Sequence, residues 1–192
     1  HDEYYDVDPI NQTHVVVAAM DELTAAECPA SHPCTLETIL VVNLDTKYTK
    51  SVYERYRKGT SENEWHDVDR IGESRYLVAE MERESVFIVN TSTEMVTWRW
   101  DSQSHYNIST GGSQAFTTPG WPEDWTHLND VEQLPDGRIM VSMRNHDEIL
   151  FINKTTGVNN SWTIGENDDT SILFEQHNPD YIPETRGGPA VI

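Results

Sequence analysis

Basic side chains are scarce in this chain of 192 residues, where 13 Lys and Arg stand against 33 Asp and Glu and the formal net charge is −20. Phosphate binding needs a basic surface, so this composition argues against nucleic acid as a partner and disfavours an anionic membrane surface. Acidic excess with only four Lys and abundant Thr predicts a halophilic protein, whose self-repulsion is screened in concentrated salt. Disorder is the competing interpretation, but six Trp, eight Tyr and regular Val and Ile runs supply core material.

Long apolar runs are also missing. The longest, Val15–Met20, is six residues and falls far short of a membrane span. Membrane anchoring would therefore need segments that are not present in this sequence. No signal peptide is visible and the chain begins with His1, so we expect a processed or partial chain, part of a longer protein.

Cysteine is limited to Cys28 and Cys34, which lie six positions apart. This spacing predicts a small loop closed by a disulfide. Zinc binding by both cysteines and His32 is the alternative, although the paired two-residue spacing of zinc sites is absent. Sequons predict glycosylation at five positions, Asn11, Asn90, Asn107, Asn153 and Asn159. Together, the cysteines and sequons favour an extracellular or cell-surface location.

Helical periodicity is weak throughout the chain, whereas β signals recur. No segment longer than about ten residues keeps a 3.6-residue apolar period. Short β-branched and aromatic runs instead alternate with turn signals such as Pro135-Asp136-Gly137. The predicted strands are His14–Met20, Thr38–Asn43, Ser51–Arg57, Arg75–Met81, Ser85–Asn90, Met95–Trp100, Asp130–Leu134, Arg138–Arg144, Glu148–Asn153 and Ser161–Ile164. The fold class is therefore all-β.

An internal repeat specifies the architecture further. The 14 residues from His66 align without gaps on those from Asn129, and the register continues with Ser85–Asn90 over Glu148–Asn153. Four short strands per unit and radial repetition are typical of a β-propeller with four-stranded antiparallel blades, while a β-sandwich has no reason to repeat its sequence. About three blades' worth of chain is present. The expected divisions are N-terminal strands or a partial blade at 1–60, blades at 65–101 and 127–165, and the start of another blade at 177–192.

Histidines recur where the repeat units begin. His66, His127 with Asn129, and His177 occupy these leading positions, and the first strand of each propeller blade lines the central channel. Three blades would therefore bring imidazoles to one axis. Arg144 ends the second strand of the His127 unit and could reach the same channel mouth. The other histidines lack this placement and are interpreted as ordinary surface or hydrogen-bonded residues.

These residues resemble the arylsulfotransferases of the six-bladed propeller type, in their acidic haloarchaeal form. The resemblance covers about residues 60 to 192. Its motifs are His66-Asp-Val-Asp, the run from Trp125 to Arg138, Val141-Ser-Met-Arg144 and Gln176-His-Asn-Pro-Asp-Tyr. It implies transfer of a sulfuryl group from a phenolic sulfate ester to a phenol, with no nucleotide sulfate donor and no cofactor.

The resemblance also implies roles for the site residues. A channel histidine becomes transiently sulfated in that family, and His177 occupies the matching position. His127, Asn129, Arg144 and His66 match the residues that hold the sulfuryl oxygens. The spacing between His127 and His177 is shorter than in the longer bacterial forms. This departure from the family pattern weakens the match on which His177 is assigned as the nucleophile.

Three alternatives remain open at the level of sequence. An exported propeller could serve only in adhesion or in recognising a ligand or partner, because fold does not fix function. The three channel histidines could hold zinc, although the fixed positive charge of Arg144 argues against a cation there. Asp67-Val-Asp69 and Asn167-Asp-Asp169 are calcium candidates, but a solvated acidic face is the favoured interpretation in so acidic a chain.

Overall fold

A computed structural model describes residues 1, 3–59, 65–81, 83–106, 125–165, 171–186 and 190–191, without the side chains of 158–162, 184 and 190. Three four-stranded antiparallel sheets dominate the described residues, and each follows the order of the sequence. The first sheet contains β1 (Glu3–Asn11), β2 (His14–Leu23), β3 (Cys34–Asn43) and β4 (Thr49–Lys58). The second contains β5 (Trp65–Arg70), β6 (Arg75–Glu80), β7 (Ser85–Asn90) and β8 (Met95–Asp101). The third contains β9 (Leu128–Gln133), β10 (Ile139–Met143), β11 (Glu148–Asn153) and β12 (Gly157–Ile164). These sheets have the form of propeller blades and confirm the predicted class.

A further pair of strands follows the third blade. The short strands β13 (Tyr181–Ile182) and β14 (Ala190–Val191) form a two-stranded antiparallel sheet. The helices in the described part of the chain are 3₁₀ turns of three residues each, at Ser102–Ser104, Arg144–His146 and Glu184–Arg186. Among the described residues, therefore, no helix has the length or apolar character to cross a membrane.

The strand register confirms the internal repeat. Val68 pairs with Val78 in the second blade, and the aligned Val131 pairs with Val141 in the third. The first blade has the same arrangement, because Val7 pairs with Val17. Each first strand thus carries one motif, Asp-Val-Asp or Asp-Val-Glu, at residues 6–8, 67–69 and 130–132.

The first sixty residues, expected from the sequence to form N-terminal strands or a partial blade, contain a full four-stranded sheet. The missed element is β1, which is acidic, contains Pro9 and is exposed or half-buried along its length. Asp6 and Asp8 occupy half-buried positions of this strand, so its sequence lacks the alternation of apolar and polar residues by which strands are recognised. Its partner β2 supplies the apolar residues that complete the sheet.

Apolar side chains pack between neighbouring blades. On β7, Phe87 and Val89 face the first blade, whereas Val86 and Ile88 face the third, because successive strand residues point to opposite sides of a sheet. Burial on both sides explains why the second and third strands of the blades, such as β6 and β7, are continuous apolar runs in the sequence. The core is therefore a series of interfaces between blades.

A disulfide links Cys28 and Cys34, with the two Cα atoms 6.0 Å apart. The bond closes the connection between β2 and β3 and confirms the predicted pairing. The zinc alternative is wrong, because both thiols are consumed by the bond. The Nδ1 atom of His32 contacts the carbonyl oxygen of Pro33 at 3.1 Å.

Asparagine side chains shape the turn between the third and fourth strands of every blade. The Oδ1 atoms of Asn43, Asn90 and Asn153 each accept a backbone N–H from two residues further along, at 2.8 to 3.0 Å. This is the Asx-turn arrangement. The fifth residue of each turn is left-handed, at Lys47, Glu94 and Gly157.

Candidate active site

The first strands of the blades lie side by side, with β5 in contact with both β1 and β9. The repeat places Tyr5, His66 and Asn129 at equivalent positions, one residue before the acidic motif of each strand. These three side chains therefore lie near the start of adjacent strands, at one end of the row of first strands. His127 precedes β9 and His177 precedes β13, so both lie near this end.

Three imidazole rings converge there. The ring centroids of His66 and His127 are 5.4 Å apart, those of His127 and His177 are 5.7 Å apart, and those of His66 and His177 are 6.2 Å apart. One ring nitrogen from each residue lies within 4.8 Å of the others. The sequence prediction that separate repeat units deliver these rings to a common point is thus matched in geometry.

Unusual backbone conformations accompany this convergence. His127, Glu175 and Asn178 all have a φ of 49°. Residues other than glycine rarely adopt this left-handed region, which costs of order 1–3 kcal/mol and is found most often at functional sites. The chain thus holds the segments that carry His127 and His177 in turns that local preference disfavours.

The environment of His66 favours its neutral form. Burial lowers the pKa of His66, and the neighbouring His127 and His177 lower it further by charge repulsion. Its Nδ1 atom is buried and has no hydrogen-bond partner among the described residues. His66 is therefore a neutral ring that faces two other imidazoles.

The hydrogen bond of His177 defines its tautomer. Its Nδ1 atom lies 3.2 Å from the backbone carbonyl oxygen of Glu175. A carbonyl oxygen can only accept, so Nδ1 carries the proton in this contact. The lone pair of the neutral ring then resides on Nε2. His177 is exposed, which leaves the ring accessible to a ligand.

Arg144 is anchored beside the histidines. Its backbone N–H donates to the carbonyl oxygen of His127 at 3.2 Å, so the 3₁₀ turn after β10 begins next to that residue. The guanidinium donates to Asn145 Oδ1 at 3.1 Å and forms an ion pair with Glu175, Nη2 to Oε2, at 3.4 Å. Its Nε atom is buried without a hydrogen-bond partner in the described part of the chain.

Asn129 and Gln176 hold the segment that precedes His177. The Nδ2 atom of Asn129 donates to the backbone carbonyl oxygen of Gln176 at 2.7 Å. The side-chain amide of Gln176 in turn donates to Ser142 Oγ at 3.2 Å and to the carbonyl oxygen of Glu148 at 3.0 Å. The Oδ1 atom of Asn129 is buried and lacks a partner among the described residues. The third blade thus positions His177.

A carboxylate of the second blade supports the segment that precedes His127. Glu84 is fully buried at the turn between β6 and β7. It accepts hydrogen bonds from the backbone N–H groups of Trp125 and Thr126 and from the Thr126 hydroxyl. His127 follows directly, so this contact between blades helps to fix its place.

The predicted site residues lie in one region, some in direct contact with one another and others linked through a further residue. His66, His127 and His177 contact one another, whereas Asn129 and Arg144 reach the group through Gln176 and Glu175. Sequence analysis missed Tyr5, whose ring centroid lies 6.2 Å from that of His66. The repeat of the Asp-Val-Asp motif at residues 6–8 was the signal that could have found it. Glu175 had no such signal.

Two aromatic residues of the family motifs pack away from the three histidines. Trp125 is 1% exposed and packs against His146, with ring centroids 4.5 Å apart, so it belongs to the core. Tyr181 is half-buried and packs on the apolar cluster of the third blade.

The arrangement permits two kinds of chemistry. Three imidazole nitrogens within 4.8 Å of one another could hold a metal ion such as zinc with an open position. Alternatively, neutral imidazoles beside a guanidinium could act on a tetrahedral oxyanion, one as nucleophile and the others as donors. The ion pair with Glu175 leaves Arg144 directed at an acidic residue, so its charge is partly compensated.

Comparison with known proteins decides the family. No curated protein matches the chain. The family model described as arylsulfotransferase (ASST) matches residues 73–185, more than half of the chain, and this range includes His127, Asn129, Arg144 and His177. The chain therefore belongs to the arylsulfotransferase family, whose general activity is sulfuryl transfer from phenolic sulfates to phenols.

Proposed function

We propose that this protein transfers a sulfuryl group from a phenolic sulfate ester to a phenol through a sulfohistidine intermediate on His177. The observation that carries the proposal is the convergence of His66, His127 and His177 near the start of the first strands of the blades. Family membership supports the overall reaction. The intermediate and the residue roles are our inference.

The first half-reaction forms an N–S bond and breaks the S–O bond to the aryl group. Nε2 of His177 attacks sulfur with its lone pair, and the phenolate leaves with the bonding electrons. The contact between Nδ1 and the Glu175 carbonyl supports this assignment, because it leaves Nε2 unprotonated. In the second half-reaction the oxygen of the acceptor phenol attacks sulfur, the N–S bond breaks and its electron pair returns to Nε2 of His177. The neutral ring of His127 takes the proton of the phenol, and this two-step transfer predicts ping-pong kinetics.

Charge on the peripheral oxygens of the sulfuryl group needs stabilisation in the transition state. Sulfuryl transfer resembles phosphoryl transfer in this respect, so positioning and electrostatics supply most of the catalysis. Arg144 offers a fixed positive charge and Asn129 an amide, while His66 can donate a hydrogen bond and an imidazolium at His127 can protonate the departing phenolate. The neutral form of His66 suits a hydrogen-bond donor.

The bulk charge of −20 would repel an anionic sulfate ester over distance. Concentrated salt removes this obstacle, since the Debye length falls to about 3 Å at 1 M. We therefore propose that the protein works in brine, outside the cell or at its surface. The disulfide between Cys28 and Cys34 supports an oxidising environment.

Glycosylation remains a prediction. Asn11, Asn90 and Asn153 accept backbone hydrogen bonds within tight turns, which gives each asparagine a structural role independent of any glycan. Asn107 and the side chain of Asn159 lie outside the described residues. Peptide mapping of the native protein would show which of the five carry sugars.

The proposal is tested with a chromogenic aryl sulfate as donor and a phenol as acceptor, in high salt. We expect transfer by the wild-type chain and its loss in His177→Ala. Incubation with donor alone should add one sulfuryl group to the peptide that contains His177, detected by mass spectrometry. The matched control is His105→Ala, which removes an exposed histidine that stacks on Trp100, away from the three histidines.

Three results would count against the proposal. If His177→Ala retains turnover or the label is found elsewhere, the nucleophile is wrong. If the wild-type chain gives no transfer in high salt, the result favours a propeller that only binds a ligand or partner. Turnover that is lost with a chelator and restored by zinc would favour a metal site at the three histidines.

A further inference from the structure

A second cluster of chemically active groups lies along the inner strands, apart from the histidines. It lines a cavity of about 360 Å³. The acidic residues around this cavity are Asp6, Asp8, Asp67, Asp69, Asp130 and Glu132. They come from the repeated motifs of β1, β5 and β9, and Asp180 adds a seventh carboxylate. No basic residue is among the described residues that line it.

This cluster is not the solvated acidic face that the sequence favoured for Asp67-Val-Asp69. Asp67 is 4% exposed, and the Oδ2 atom of Asp130 is buried without a hydrogen-bond partner in the described part of the chain. Val68 and Val131 pack on the preceding blade, so the acidic residues that flank them turn towards the following one. The other calcium candidate, Asn167-Asp-Asp169, lies outside the described residues.

Contacts between blades account for some of these carboxylates. The backbone N–H of Val131 donates to Asp67 Oδ2 at 2.5 Å, and that of Tyr181 donates to Glu132 Oε2 at 3.0 Å. Each carboxylate thus pairs with the otherwise open edge of the next inner strand. Such contacts explain why one acidic residue is present at each of these two junctions between blades. They do not explain the buried and unpaired oxygen of Asp130.

Accumulated negative charge makes the cluster costly by itself. Burial raises the pKa of Asp8 to about 7, with repulsion from Asp6 and Asp69 contributing. Burial also raises the pKa of Asp67 and of Asp130, and in both cases neighbouring acidic groups raise it further. Buried charge needs a compensating partner.

We propose that the cavity binds a divalent cation, of which Ca²⁺ is the best match, through Asp6, Asp8 and Asp67, with Asp130 completing the site. One carboxylate oxygen from each of the first three lies within 4.8 Å of the others. Two oxygens at that separation can both contact an ion at about 2.4 Å, the Ca²⁺–oxygen distance. Ca²⁺ accepts several carboxylates in flexible geometry, whereas Mg²⁺ usually takes one or two and keeps its waters.

The bound ion would join the inner strands of three blades. Asp6 and Asp8 belong to β1, Asp67 to β5 and Asp130 to β9. A ligand that binds only the folded state stabilises it in proportion to the logarithm of its concentration over Kd. We therefore expect Ca²⁺ to stabilise the assembled blades, and this effect does not depend on the proposed sulfuryl transfer.

The experiment uses the full 192-residue chain, stripped with a chelator and dialysed at constant ionic strength. Titration calorimetry should show one Ca²⁺ bound per chain, and saturating CaCl₂ should raise Tm by about 5–10 °C. Equivalent MgCl₂ should produce a much smaller shift. Asp8→Asn and Asp130→Asn should each lose most of the Ca²⁺ response, while Asp45→Asn, which neutralises an exposed turn, should keep it.

The variants have a second readout that separates loss of a ligand from failure to fold. Without Ca²⁺, Asp130→Asn should melt at a higher temperature than the stripped wild type, because it removes one repelling charge. With Ca²⁺ the order should reverse. Absence of Ca²⁺ binding by the wild type, or an unchanged response in both variants, would overturn the proposal and leave protons as the groups that neutralise the cluster.

Discussion

His146 shows how burial alters a single residue. It does not begin a repeat unit, yet it is 3% exposed, with its ring centroid 4.5 Å from that of Trp125 and 5.6 Å from that of Tyr106. Burial lowers its pKa to about 4. The unfolded chain binds a proton near pH 6.5, whereas the folded chain does not do so until the pH is much lower. This residue therefore makes stability depend on pH.

We expect the contribution of His146 to be complete above pH 6.5 and to be lost as the pH falls towards 4. The shift corresponds to about 3 kcal/mol of unfolding free energy. His146→Phe should remove this part of the pH dependence while keeping the aromatic packing. The measurement is urea denaturation at pH 7 and pH 4.5, with His105→Phe as the exposed control. If His146→Phe and the wild type lose the same unfolding free energy between pH 7 and pH 4.5, the folded protein binds a proton at His146 as readily as the unfolded chain does.

At the scale of elements, the turn after the third strand has the same backbone conformation in each blade but a different residue at its left-handed position. Asparagine starts the turn in all three blades, but the left-handed fifth position holds Lys47, Glu94 and Gly157. Glycine alone adopts a positive φ without steric cost. An added Cβ at Gly157 would meet only an ordinary contact, with His105 at 3.6 Å. Conformation rather than space thus decides the preference there.

The repeat predicts opposite effects for reciprocal changes at this position. Gly157→Ala should lower the unfolding free energy by about 1–2 kcal/mol, because it forces a Cβ into the left-handed region. Glu94→Gly should raise stability by up to about 1 kcal/mol for the converse reason. Chemical denaturation of the two variants beside the wild type tests both. A stabilised Gly157→Ala would mean that the turn adopts another conformation.

Across the whole molecule, buried ion pairs fasten the first blade to the second. Glu80 of β6 is fully buried and pairs with Arg55 and Arg57 of β4 and with Arg99 of β8. The contact with Arg55 is 2.6 Å and that with Arg99 is 2.8 Å. Burial alone would raise the pKa of Glu80, but the arginines outweigh it and lower the pKa to about 2. Its stabilising contribution is therefore present above pH 4.5 and lost as the pH falls towards 2.

Glu80→Gln should destabilise the protein by about 3–5 kcal/mol, because it removes the counter-charge of Arg99 and leaves Arg55 and Arg57 to share the single carboxylate of Glu37. The loss should appear as a lower urea midpoint at pH 7. Glu73→Gln, which neutralises an exposed residue in the same blade, is the control. If both variants unfold alike, these ion pairs contribute nothing to the junction between blades.

Much of the fold was accessible from sequence, because repetition and two-residue periodicity are local properties. The aligned segments that begin at His66 and Asn129 gave two blades, and the paired cysteines gave the disulfide. The first strand, β1, was not predicted, because acidic residues that pair with the edge of the next blade cannot be distinguished in the sequence from solvated ones. Asp6 and Asp67 accept backbone hydrogen bonds from the first strand of the next blade, and this role depends on how the two blades pack.

The sequence by itself determined an all-β chain of repeated four-stranded units and indicated which histidines could meet. Only the tertiary structure decided that His66, His127 and His177 do meet, that Glu175 pairs with Arg144, and that the acidic motifs enclose a cavity. The physical reason is range. Periodicity and turn chemistry act over a few residues, whereas the distance between side chains on different blades depends on how entire sheets pack.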